Sequence, residues 1–142
     1  MHTKKMKTRW HLAAGIAFPL LAAAAGPQLD SLDPDQLHLV GSQCAFENKA
    51  GQTMLASDWI GKFWVKVDGK MVEFVTRQPD DEMQRQSEQK RWHDVLQAGE
   101  LTLTLDLRKT GAHDDTASYQ GRIELKRGGA VTRMAVAGGC TA

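Results

Sequence analysis

Residues 63–75, FWVKVDGKMVEFV, read as a tight β-hairpin. Two alternating runs flank Asp68-Gly69, a pair suited to a type I′ turn because both central residues need positive φ. Pairing Val67 with Lys70 sets Val65 opposite Val72 and Phe63 opposite Phe74. Phe63, Val65, Val67, Val72 and Phe74 then share the face turned to a core. Trp64, Lys66, Met71, Glu73 and Val75 share the other face, with Lys66 diagonal to Glu73. Turn chemistry, register and burial agree, so the chain is expected to be built from antiparallel hairpins.

The rest of the chain extends this pattern in both directions. Leu101, Leu103, Leu105 and Leu107 alternate with Thr102, Thr104 and Asp106, which reads as a strand with one buried face. Residues 119–127 and 130–136 form a second hairpin around Gly128-Gly129. Setting Arg127 opposite Ala130 brings Ile123 to Met134, Leu125 to Thr132, and Glu124 to Arg133 as an opposite-charge pair. Upstream, residues 37–46 read as a first strand, with Val40, Cys44 and Phe46 on one face. A turn at 48–51 leads to a short strand at 53–57. Residues 27–36 are an irregular lead-in of at most one helical turn.

Residues 78–99 depart from the β pattern. Pro79 suits a first helical position, Asp80, Asp81 and Glu82 suit the positive end of a helix dipole, and Gly99 suits a stop. Trp92, Val95 and Leu96 make an apolar stripe at helical spacing. The reading is an insertion over 79–98 that is helical or disordered. The fold class is thus mostly β: a small antiparallel barrel or sandwich of about seven strands with one helical insertion. Meeting ends favour the barrel, which leaves no strand edge exposed.

The first 25 residues are set apart. Lys4, Lys5, Lys7 and Arg9 precede a short apolar run that ends in Ala22-Ala23-Ala24-Ala25. This is the pattern of a secretory signal peptide, cleaved after Ala24 or Ala25. A membrane span needs about 20 apolar residues, and this run is shorter and broken by Pro19, so no transmembrane anchor is expected after cleavage. The single β-domain is then 26–142, in the periplasm or outside the cell. All 17 acidic residues remain in it, with 14 of the 18 Lys and Arg, for a net charge of −3. That balance argues against a nucleic-acid partner. Cys44 and Cys140 form an even pair in an oxidising compartment and are expected to be disulfide-bonded. The closed loop of about 96 residues is worth on the order of 4–5 kcal/mol in the chain-entropy model.

Catalytic signals are absent from the pattern. No nucleophile elbow, zinc-protease signature or phosphate loop occurs. His113-Asp114-Asp115 has no third partner at a metal-binding spacing, and His93-Asp94 is expected on the surface. The chain is expected to be no enzyme and to hold no cofactor or metal. The outward Trp64, with Met71, Val75 and the nearby Trp59, is a candidate partner surface. The competing expectation is that the helix folds back and covers that patch with Trp92, Val95 and Leu96.

The layout resembles the small periplasmic and membrane-bound inhibitors of c-type lysozyme. The residues that carry the resemblance are Cys44, the segment Trp64-Val65-Lys66-Val67-Asp68-Gly69-Lys70, and Gly138-Gly139-Cys140. The family implies a one-domain β-barrel and an inhibitory Ser-Gly-x-x-Tyr segment with a later Lys-Gly. Thr116-Ala117-Ser118-Tyr119 stands nearest to the first, without the Gly or the spacer, and Lys126 is separated from Gly128 by Arg127. Ser118, Tyr119 and Lys126 are therefore the positions that the resemblance marks for partner binding. The first functional expectation is a non-enzymatic binding domain whose partner is a protein, a lysozyme being one version, or a cell-envelope component. The alternative is a carrier of a small apolar ligand in the barrel or in a helix–sheet cleft.

Overall fold

The computed structural model describes Gly15 and residues 26–77 and 88–142. That glycine aside, the expected signal segment lies outside the described residues, as do residues 79–87 of the expected insertion. Nine antiparallel strands form one sheet: β1 Leu29–Asp30, β2 Gln43–Glu47, β3 Thr53–Ser57, β4 Lys62–Val67, β5 Lys70–Val75, β6 Arg91–Ala98, β7 Leu101–His113, β8 Thr116–Arg127 and β9 Ala130–Thr141. A 3-10 turn, Pro34–Leu37, lies between β1 and β2.

The central hairpin has the register its sequence implies. Phe63 pairs with Phe74, Val65 with Val72 and Val67 with Lys70. Asp68 and Gly69 have φ of 49° and 81°, as a turn of this hand requires. Phe63, Val65, Val67 and Phe74 are buried, and Val72 packs against them. The second hairpin also follows its pattern: Ile123 faces Met134, Leu125 faces Thr132, and Arg133 Nε donates to Glu124 Oε2 at 2.8 Å. The four alternating leucines of β7 are all buried.

Two meanders, β2–β5 and β6–β9, are joined where β2 pairs with β9. Cys44 and Cys140 are register partners across that joint and form the disulfide, their Cα atoms 4.0 Å apart. Besides the two-residue β1, the sheet edges among the described residues are β5 and β6. They approach within 8 Å, yet no ladder joins them, so the sheet is not closed by hydrogen bonds. The N-terminal segment acts as a strap. β1 takes up the edge of β4 beyond the point where β3 leaves it, and Thr132 Oγ1 donates to the Pro27 carbonyl. Asp68 then gathers the strap and both hairpin tips: its carboxylate accepts from the Gln28 amide and from Arg127 Nη1. These two donors, the amide first, hold its carboxyl below the usual carboxylate range.

Residues 91–98 correct the helical reading, because they are strand β6, paired with β7 from Arg91–Arg108 to Ala98–Leu101. Trp92 and Leu96 are four apart, a spacing that serves a helix face and a strand face equally. The residue between them on the inner face is Asp94, which breaks the apolar alternation. Its carboxylate accepts from Trp92 Nε1 at 2.9 Å, so the polar break is the hydrogen-bond partner of the buried indole. Gly99, with φ of 58°, supplies a hairpin turn rather than a helix stop. The strand expected over 37–46 is also shorter than its pattern implies. It is β2 and begins at Gln43, and Val40 is left almost fully exposed.

Trp92 is the centre of the interior. Its ring meets Tyr119 at 5.3 Å, Phe63 at 5.8 Å and Phe46 at 6.1 Å between centroids, mostly edge-to-face. Gly138 lies between Phe46 and Tyr119 in register, and a Cβ there would collide with the Ala45 carbonyl. The missing side chain lets β2 press against β9 while the two rings meet over the gap at 6.4 Å.

Candidate functional site

The residues singled out from sequence do not assemble into one site. Trp59 is a correction: it is 5% exposed, packs in the core and offers no surface. It has φ of 60°, its amide donates to Ser57 Oγ, and its indole Nε1 is buried without a hydrogen-bond partner among the described residues. Trp64 does point outward, half-buried, and donates through Nε1 to Glu73 Oε1 at 3.1 Å. Met71 lies on the same outer face and is exposed. The covering helix expected over them is not there in residues 91–98, since Trp92 and Leu96 are buried in the core.

Ser118, Tyr119 and Lys126 lie on β8 but on both of its faces. Tyr119 is 1% exposed and turned inward, and burial raises its phenol above the ordinary tyrosine range. Ser118 and Lys126 are exposed on the outer face, eight residues apart, which at about 3.3 Å per residue is up to roughly 26 Å. One partner loop cannot touch both and reach the tyrosine. His113 and Asp114 pair at 3.3 Å on an exposed hairpin tip. Among the described residues no group of three or more His, Cys, Asp or Glu side chains comes together, and no helix is long and apolar enough to cross a membrane.

The concave surface lies elsewhere, on the outer face of the sheet. A groove of about 910 Å³ crosses five neighbouring strands, from the end of β2 over β9, β8 and β7 to the start of β6. Its floor follows one row of register partners: Glu47, Ala137, Gln120, Arg108 and Arg91. Asp106, Arg122 and Ala135 form a second row beside it. The small Gly121, Ala135 and Ala137 make the hollow. Register shifts at Phe46/Glu47 in β2 and Lys109/Gly111 in β7 adjoin it at both sides, where bulges bend the strands.

Local structure fixes the rim. Asn48 Oδ1 accepts the amides of Ala50 and Gln52, so the turn after β2 holds Lys49 over one end. At the other end the Lys109 amide donates to the Lys90 carbonyl, extending the β6–β7 pairing by one residue and fixing Lys90.

The charge of the groove runs against the acidic balance of residues 26–142. Lys49, Lys90, Arg91, Arg108 and Arg122 line it, against Glu47 and Asp106. Arg91 takes both Asp106 oxygens, with Nη2 at 2.9 and 3.0 Å. Arg122 is the direct cross-strand partner of that Asp106, yet makes no ion pair among the described residues. Arg108 sits directly opposite Arg91, a like-charge pair that destabilises a bare sheet. Sequence reading misses this surface, because Arg91 falls in the expected helical or disordered insertion and Arg108 lies just past the alternating leucine run. The available signal was the outward position of Arg122 between Ile123 and Gly121.

Comparison with known proteins finds no matching family model, no matching curated protein and no matching solved structure.

Proposed function

We propose that this chain is a non-enzymatic binding domain of the periplasm or the extracellular space, with a protein or cell-envelope component as partner. The sheet serves as a small barrel whose β5–β6 gap is filled by side chains. The observation that carries the reading is the division between its two faces. The inner face is filled by Trp92, Tyr119, Phe46, Phe63 and the β7 leucines, all essentially inaccessible. The outer face carries the groove, with four cations that make no ion pair among the described residues. A rigid, clipped sheet with a charged outer hollow suits recognition of another surface. The disulfide is compatible with an oxidising compartment.

Lysozyme inhibition is retained as one version of this function, to be judged by a lysis assay against c-type, g-type and bacterial lysozymes. The general reading is tested by photo-crosslinking. A benzophenone amino acid at Gln120, in the groove, should give discrete adducts with an envelope fraction. The same group at Lys70, on the exposed edge hairpin, should give none. Uptake of an apolar dye by the folded protein, with no adducts, would favour the carrier alternative instead.

A further inference from the structure

We infer that the groove recognises an acidic peptide segment of a partner protein, whose carboxylates sit on Arg108 and Arg122. The inference rests on the binding-domain reading and names the chemistry of its partner. Cross-strand Arg91 and Arg108 repel each other, and the one carboxylate beside them, Asp106, is taken by Arg91 in a two-oxygen contact. That arrangement holds Arg91 still and leaves Arg108 and Arg122 to an incoming anion. The guanidinium fork matches a carboxylate in two-point geometry.

The shape and the sign pattern favour a peptide. The groove spans five strands, which at about 4.8 Å per spacing is roughly 19 Å, the length of about six extended residues. Its far end carries Glu47 beside Lys49, so the charge is not uniform along its length. A uniformly charged lipid surface or polyanion meets repulsion at Glu47. A peptide can put acidic side chains over the arginines and a neutral or basic one there. Among the described residues no aromatic ring lines the groove to stack on a sugar, and the Gln120 amide between small residues suits a peptide backbone.

The test uses the disulfide-bonded domain and a fluorescein-labelled decapeptide of alternating Glu and Ala, followed by anisotropy. Binding should weaken at least about tenfold from roughly 0.01 M to 1 M salt, as the Debye length falls from about 30 Å to 3 Å. The double variant Arg108→Gln/Arg122→Gln should bind at least about tenfold more weakly than wild type, with an unchanged thermal melt. Lys70→Gln, exposed and off the groove, should change binding less than about twofold. Peptide binding that is indifferent to the double variant overturns the inference. So does variant-sensitive binding to phosphatidylglycerol vesicles or a sulfated oligosaccharide in place of the peptide. Gln120 adducts that persist in the double variant keep the surface and discard the acidic-peptide chemistry. Absence of any Gln120 adduct removes the binding-domain reading itself.

Discussion

The two places where the meanders meet are built in opposite ways. At β2–β9 the strands pair over five residues, a disulfide joins register partners, and Gly138 lets the backbones close up. At β5–β6 no ladder forms. Inner residues such as Phe74, Trp92 and Leu96 are buried there, while Val75 and Val95 remain exposed. One joint is covalent and hydrogen-bonded, and the other depends on packing. The covalent joint is also the one between elements far apart in sequence, where loop closure costs most entropy. The groove starts at the end of β2 and ends at the start of β6, so it spans the meander that connects the two joints.

Four measurements separate these joints. The largest effect is expected for Cys44→Ala/Cys140→Ala, which should lose about 4–5 kcal/mol in urea unfolding. A loss below about 1 kcal/mol would mean that the β2–β9 ladder holds alone. Gly138→Ala should cost roughly 2–3 kcal/mol, because the added Cβ meets the Ala45 backbone and not a movable side chain. A neutral result there would show that the close approach of β2 and β9 is not needed.

A smaller effect is expected at the polar tie between hairpin tips. Asp68 has a folded pKa below its unfolded value, because the Gln28 amide and Arg127 favour its charged form. Its stabilisation is therefore present above the unfolded value, near pH 4, and is lost as pH falls through the folded one. Wild-type melting temperature should drop across that acid window, and Asp68→Asn should drop less while starting lower at neutral pH. Parallel curves would mean that the tie does not couple to folding. The smallest effect belongs to the open joint: Val75→Lys and Val95→Lys, both outward, should each stay within about 0.5 kcal/mol of wild type. A large loss there would mean that these valines seal the gap.

Much of the fold was legible where local signals agreed. Asp68-Gly69 and the Glu124–Arg133 pair combine turn chemistry with period two, the four leucines carry period two alone, and each stands in the structure as the pattern implies. Residues 91–98 were misread because the inward Asp94 hides the alternation, and its reason for being inward is the Trp92 indole. Trp59 was misread because it lies between strands, where no alternation assigns a side, whereas its left-handed backbone accompanies a ring packed in the core. The groove was not legible at all. Its cations come from the turn after β2, from the approach to β6, and from β6, β7 and β8, and only strand register brings them to one surface.

The sequence by itself determined the β4–β5 and β8–β9 hairpins, their registers and the pairing of two cysteines, because these depend on neighbours a few residues apart or on a choice of one. Tertiary structure alone decided which strands lie at the edges and which side of the sheet is hollow. Those features arise from the joining of β2 to β9 across a separation of 96 residues and from the bend that glycines and bulges allow. No local pattern of residues encodes such a long-range juxtaposition.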